Sequence, residues 1–273
     1  MSSLPPVSFV PTPIGNLGDI TLRSLEALKD CDVIFAEDTR TARSLLNALD
    51  IKKPVESYHK DNEVQASARV VHSVNSGNKV CVISEAGTPC VSDPGNTLSS
   101  VLVKENIKFQ ALPGATAFVP AIMLSGFDIS DFFFHGFLPN KTGEKIKAAE
   151  ALTHYNTVIA FYESPHRIKD TLKTLLDIFP APLFCCRELT KMYESSYFIS
   201  SVEDIEQITE KGEFVIVVNN RKNEIREELS DCAETAKKLV KAGYGAKDAV
   251  NILKALGYKR NEAYSAVNDI IES

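Results

Sequence analysis

Three short segments gather side chains that could carry acid–base or phosphate chemistry. Ala36-Glu37-Asp38-Thr39-Arg40 sets two carboxylates and a guanidinium at the end of an apolar run. Phe161-Tyr162-Glu163-Ser164-Pro165-His166-Arg167 crowds a carboxylate, an imidazole and a guanidinium together. Arg187-Glu188-Leu189-Thr190-Lys191 turns abruptly charged after the apolar Cys185-Cys186. Carboxylates, imidazoles and amines are the groups that move protons near neutral pH, and arginine suits bidentate grip on phosphate. Each segment also has a structural reading. Asp38 or Thr39 can cap a helix, Ser164 is a good N-cap and Pro165 a good first helical residue. Capping would occupy one acid of the first segment and leave Glu37 or Arg40 for a substrate. It does not account for Glu163, His166 and Arg167 meeting at one helix start.

Three further segments carry almost no bulk. In Ser84-Glu85-Ala86-Gly87-Thr88-Pro89-Cys90-Val91-Ser92-Asp93-Pro94-Gly95, a loop stripped of side chains lets another molecule lie against bare backbone. Asp93-Pro94 reads as an N-cap followed by a first helical residue, which leaves the small residues before it unexplained. Pro11-Thr12-Pro13-Ile14-Gly15-Asn16-Leu17-Gly18-Asp19 can turn tightly at Gly15 and Gly18, with Asp19 capping the next helix. It is neither a Gly-x-Gly-x-x-Gly fingerprint nor a Walker A loop, so alone it reads best as a structural turn. Ala111-Leu112-Pro113-Gly114-Ala115-Thr116 repeats the pattern of strand, small-residue turn and helix.

The elements that must position these segments alternate. Strands are expected at 7–10, 32–36, 55–58, 79–83 and 108–112. Helices are expected at 20–29, 39–49, 64–74 and 95–105, with another opening at Pro113 and containing Pro120. This rhythm predicts an α/β fold with a largely parallel sheet and helices on both faces. After Gly126 it changes. An aromatic strand, 131–139, leads a second set: helices 144–153, 165–178 and 203–209, and strands 157–162, 183–186, 196–200 and 213–218. After Arg221-Lys222-Asn223 the chain is helical at 229–242, 246–256 and 260–271, with Gly243, Gly245 and Gly257 as stops. The expected domains are 1–126, 127–221 and a helical tail, 222–273.

Composition bounds the answer. The 273 residues allow two modest domains, and 44% hydrophobic with 24% charged residues is ordinary for a globular protein. The apolar runs are strand-sized, far short of a membrane span, and Met1 to Pro6 has no secretory pattern. Six irregularly spaced cysteines contain no Cys-x-x-Cys pair, and the five histidines no ligand spacing. The expectation is therefore reduced thiols in a cytoplasmic protein with no metal site. A formal net charge of −6 argues against coating nucleic acid through bulk charge, and leaves room for a local basic surface.

Taken together and in this order, these segments resemble the tetrapyrrole-methylase-like (class III) S-adenosylmethionine-dependent methyltransferases. Within them the chain resembles the RsmI family, which methylates a ribose 2′-hydroxyl of a cytidine in small-subunit ribosomal RNA. Ser57-Tyr58-His59 belongs to the same match, which spans about Phe9 to Asn219. The resemblance implies two α/β domains meeting at a cleft that holds S-adenosylmethionine. It implies cofactor contacts from Pro13, Ala86, Gly87, Thr88, Ala115, Thr116 and Tyr162, with Glu213 and Phe214 weaker choices. Two departures stand out: Glu85 where the family usually has Asp, and Cys90 where it has leucine or similar. The tail is closer to a small three-helix module of the ubiquitin-associated or RuvA C-terminal type.

The implied reaction asks for a base at the ribose hydroxyl. Glu163 is the first choice, with Glu37, Asp38, His166, Glu188 and Lys191 as alternatives. Arg40, Arg167, Arg187 and Lys191 are expected on phosphates, and His59 and Glu188 against the RNA. A homodimer is expected from class III analogy. Two rival readings are a tetrapyrrole or diphthamide-type methylase on the same fold, and a tail that works as a non-catalytic partner-binding module.

Overall fold

The computed structural model describes residues 5–221, 232–256, 258 and 260–271. They form two compact units, Met1–Asn220 and Arg221–Ser273.

The first unit contains two five-stranded sheets. In the first sheet β1 (Val7–Phe9), β2 (Val33–Ala36), β3 (Val55–Ser57), β4 (Val80–Ile83) and β5 (Phe109–Ala111) run in the order β3-β2-β4-β1-β5. Every pair is parallel. Continuous apolar runs such as Val33-Ile34-Phe35-Ala36 suit a sheet covered on both faces. Ile34 and Cys81 pack with α1 (Leu22–Asp30) and α2 (Thr39–Ala48) through Leu28 and Leu46. Phe35 and Val82 point the other way, onto α3 (Glu63–Asn75) and α4 (Asn96–Lys104) through Val70 and Leu98. Parallel pairing puts all five carboxyl ends on one edge, which collects 10–19, 36–40, 57–59, 84–95 and 112–117 there.

The second sheet is mixed. It comprises β6 (Phe132–Phe137), β7 (Val158–Glu163), β8 (Leu183–Arg187), β9 (Ser195–Ile199) and β10 (Phe214–Asn219), in the order β6-β7-β10-β8-β9. Only β6 and β7 are parallel; the other pairs are antiparallel. One face carries α6 (Thr142–Leu152), α7 (Ile168–Ile178) and α8 (Val202–Glu206), joined to the strands through Leu152, Leu172 and Ile205. The other receives α5 (Phe118–Leu124) through Ala121 and Ile122, against Ala160 and Val215. Pro120 lies in the first turn of α5, where a missing N–H costs no helix bond. A bulge at His135 shifts the β6 register, so that Phe134 faces Ala160 and Gly136 faces Phe161.

Four expected helix starts need correction: the helix expected to open at Pro113 begins only at Phe118, as α5, and three others differ in their caps. Thr21, not Asp19, caps α1 by accepting from the Ser24 amide. Ser164 and Pro165 lie in a turn ahead of α7, whose N-cap is Arg167. Asp93 does not cap α4: the N-cap is Gly95, and the Gly95 and Thr97 amides donate to Glu63 Oε1 at 2.8 and 3.2 Å.

The second unit holds α9 (Cys232–Lys241), α10 (Ala246–Ala255) and α11 (Arg260–Ile271). Ala236, Ala249, Leu253, Ala263 and Val267 form its core, with Tyr258 donating to or accepting from Thr235 at 3.0 Å. Gly243, at φ +90°, ends α9 in a left-handed turn, and the Tyr244 amide returns to the Leu239 carbonyl. The expected beginning of this helix at 229–231 and the expected stop at Gly257 lie outside the described residues.

Candidate functional site

At the carboxyl edge of the first sheet, three bare loops are knitted into a cradle. β4, β1 and β5 are neighbours, so the segments that follow them touch. Thr12 and Gly87 exchange both backbone hydrogen bonds, at 2.9 and 3.1 Å. Thr88 Oγ1 donates to the Ala115 carbonyl at 2.9 Å, and Ser84 Oγ to the Gly87 carbonyl at 3.0 Å. Gly87 has φ +78°, a conformation that favours glycine. Gly114 lies so close to Pro11 that a side-chain carbon there would come within 2.3 Å of the rigid ring. The small residues of the two loops are thus what allows the three segments to close on one another.

The cradle floors a cleft of about 360 Å³, within the range of small-ligand sites. Ala86, Gly87, Thr88 and Thr116 line it on one side; Tyr162, Glu163, Glu213 and Phe214 line it on the other. Ala115 does not line it and is joined to it only by the bond from Thr88, which does. Pro13 stands beside the lining residue Ile14, just past the Thr12–Gly87 bridge. Tyr162 is held between Phe134 and Phe137, with ring centroids 4.8 and 5.7 Å away. Burial raises its hydroxyl pKa, while the amides of Phe118 and Ala117 work the other way.

The cleft is acidic. Asp93 and Glu85 line it together with Glu213. Burial, and then Glu37 and Glu85, push the Asp93 carboxyl up to about 7. Glu37 is raised by burial and by Glu85, against the opposing effect of His59. Strand order explains the row: His59, Glu37 and Glu85 follow the adjacent strands β3, β2 and β4. Asp93 is the functional-looking residue that sequence reasoning passed over, because Asp-Pro-Gly looks like a helix start. Ile14, Phe137, Leu189 and Val215 also line the cleft. They had no signal beyond apolarity.

Several of the expected catalytic and RNA-contacting groups are already engaged. Glu163 is 2% exposed. One oxygen accepts from the Ser164 amide at 2.7 Å; the other accepts from Thr171 Oγ1 at 2.7 Å and faces Arg167 at 3.1 Å. Asp38 caps α2, accepting from the Arg40 and Thr41 amides at 2.6 and 3.3 Å. Arg167 also donates to the Leu138 and Pro139 carbonyls and to Asn140, and Arg187 to the Lys211 and Tyr193 carbonyls. Lys191 bridges Glu188 and Glu213 at 2.9 and 2.8 Å. Burial opposes its charge, but Glu213 and Glu188 hold its pKa above the ordinary value. An ammonium kept protonated is poorly suited to take up a proton. Glu188 additionally accepts from the Glu213 amide. His166 and Arg40 are exposed, and Glu37 and His59 half-buried; none of the four lines the cleft.

Comparison with known proteins gives these features a context. The family described as Tetrapyrrole (Corrin/Porphyrin) Methylases matches residues 6–206. The chain is 39% identical over 225 residues to a ribosomal RNA small subunit methyltransferase I of Halalkalibacterium halodurans, covering 81% of this chain and 78% of that one. It is 36% identical over 271 residues to a protein of the same name from Streptococcus pyogenes, covering 96% and 94%. Among solved structures, the methyltransferase CobJ superposes with a TM-score of 0.59 at 19% identity, over 78% of this chain and 93% of that one. That last likeness concerns the fold.

Proposed function

The chain belongs to the tetrapyrrole methylases and, within them, to the ribosomal RNA small subunit methyltransferase I family, and from that premise we propose that it methylates the ribose 2′-hydroxyl of a cytidine in small-subunit ribosomal RNA. It is an S-adenosylmethionine-dependent enzyme. The observation that carries the reading is the pairing of a backbone cradle with an acidic wall in one cleft. When bound, S-adenosylmethionine supplies an electrophilic methyl group next to a positive sulfonium, and it carries a positive amino group as well. Glu85 and Asp93 offer those cations the opposite charge, while Glu213 is already paired with Lys191, and the small residues leave backbone groups open for hydrogen bonding. In this reading Pro13, Ala86, Gly87, Thr88, Ala115, Thr116 and Tyr162 hold the cofactor.

The chain's own residues then orient the ribose and move one proton. Fixing the acceptor hydroxyl in line can supply several kcal/mol, within the roughly 7–11 available from orientation. A base removing the hydroxyl proton adds about 10²–10⁴ in rate. Glu37 fits that role best. Among the described residues no cap or ion pair ties up its carboxylate, and burial beside Glu85 makes it more basic than usual. Glu163, with both oxygens occupied, acts as the anchor that holds Arg167 and the 138–140 turn. Arg40 and His59, at the same edge, face the RNA. The lobes 1–126 and 127–221 make the two walls, the protein works in the cytoplasm, and it acts as a homodimer.

The rival is a tetrapyrrole or diphthamide-type methylase on the same fold, supported by the acidic net charge. Labelled cofactor offered with small subunits or with a tetrapyrrole separates the two, followed by mapping of 2′-O-methylation. Label on a cytidine ribose is expected; label on the tetrapyrrole alone would overturn the reading. Glu37→Gln is expected to lower kcat about 10²-fold or more with unchanged cofactor affinity. Full turnover in that variant would move the base elsewhere.

A further inference from the structure

The α/β unit is acidic at its cleft, yet the substrate proposed above is a polyanion. The helical unit is close to neutral as a whole, but one stretch of it has the opposite character. From Lys237 to Arg260 the sequence holds six lysines and one arginine against a single acid, Asp248, in a chain whose net charge is −6. This stretch lies beyond the residues matched by the tetrapyrrole methylases.

Folding turns those charges outward. In α9, Cys232 and Ala236 are buried, while Lys237, Lys238 and Lys241 are exposed. In α10, Ala249, Val250 and Leu253 are buried, while Lys247 and Lys254 are exposed. Part of this has a structural return: Lys238 and Lys241 sit in the last turn of α9, where cations suit the helix dipole, and Lys238 pairs with Glu234 at 3.0 Å. Lys247 has none of that kind, because it lies in the first turn of α10, where the dipole disfavours a cation. Between the two helices, each residue of Ala242-Gly243-Tyr244-Gly245 is exposed, Tyr244 with 49% of its surface open to solvent. An exposed aromatic ring among lysines is the combination that stacks on an unpaired base while ammonium groups meet phosphates.

We propose that the α9–α10 face of the helical unit, with Lys237, Lys241, Lys247, Lys254 and Tyr244, is a capture surface for single-stranded or loop RNA of the small subunit. The inference rests on the RNA-methylation reading. Lysine point charges without an arginine fork bind backbone rather than read sequence, so the surface raises residence on RNA and leaves the choice of nucleotide to the cleft.

The test uses the full-length protein. Lys237→Gln, Lys241→Gln and Lys247→Gln are combined; all three positions are exposed, and circular dichroism checks the fold. Binding to naked small-subunit RNA is measured across salt concentrations, and methyl transfer to subunits at varied subunit concentration. Three phosphate contacts at about 0.7 each predict a salt slope shallower by about 2. KM for subunits is expected to rise at least tenfold, with kcat and cofactor affinity unchanged. Tyr244→Ala is expected to weaken RNA binding at an unchanged salt slope. Wild-type slope and KM in the triple variant would overturn the proposal. So would an unchanged slope on naked RNA combined with lost subunit binding, which would assign the face to a ribosomal protein. Wild-type protein in the same assay keeps the two readings apart: absence of methyl transfer there counts against the RNA-methylation reading, not against the capture surface alone.

Discussion

Asp93 stands in an Asp-Pro-Gly sequence and still lines the cleft, while Glu63 occupies the helix start in its place. Burial with Glu37 and Glu85 nearby raises its pKa to about 7. A carboxyl raised on folding binds more protons folded than unfolded, so its contribution to stability falls as pH climbs from near 4 to about 7. A cation bound against it has the reverse preference and favours the carboxylate. Affinity for S-adenosylmethionine is therefore expected to increase between about pH 6 and pH 8, with a proton released on binding near neutrality. Calorimetry in two buffers of different ionisation enthalpy measures that proton. Asp93→Asn should remove both the pH dependence and the proton release. Affinity that is flat across this range in the wild type would contradict the assignment.

At the scale of elements, Glu63 links α3 to α4. Its carboxylate belongs to the first turn of α3, accepts two amides at the start of α4 and receives the Tyr58 hydroxyl at 3.2 Å. Burial pushes its pKa up, but the Gly95 and Thr97 bonds prevail and hold it below the ordinary value. Its stabilising effect is thus present above the unfolded pKa and disappears as pH falls through the lower folded one. Glu63→Ala is expected to cost about 1–2 kcal/mol at pH 7, the typical loss of a cap. The cost should shrink toward pH 3 in denaturant titrations. An equal cost at both pH values would mean that the amides are not bound by the charge. The same contact explains what the sequence could and could not reveal. The alternation of apolar runs and amphipathic segments is local, so the parallel sheet and most helix positions were legible. The bare loops at 84–88 and 113–116 were legible too, since nothing but close approach explains so little bulk. A cap whose acceptor lies thirty-two residues away has no local signature, and neither do partners that meet only after folding. Glu163 with Thr171, Arg187 with the Lys211 carbonyl and Lys191 with Glu213 looked available for that reason.

For the whole molecule, the outer face of α5 and the adjoining start of β6 are conspicuously apolar. Met123 is 66% exposed, Leu124 53% and Phe132 47%, with Val119 beside them on the helix. Phe118 ties the patch to the sheet, stacking on Phe134 with centroids 4.3 Å apart and lying 6.0 Å from Phe132. Scattered exposed leucines are normal, but a cluster of large apolar side chains on one helix and strand marks a contact surface. In a two-fold dimer the same patch meets its own copy, which is the arrangement that supports the homodimer proposed above. Covering a large apolar side chain is worth about 1.5–3 kcal/mol. Met123→Asp with Leu124→Asp alters two such side chains per copy, so association should weaken by several orders of magnitude. Sedimentation equilibrium at micromolar concentration is expected to give a dimer for the wild type and a monomer for the double variant. Both positions are exposed in the single chain, so the α/β unit should keep its unfolding transition. A monomeric wild type, or a double variant that still sediments as a dimer, would remove this face from the assembly.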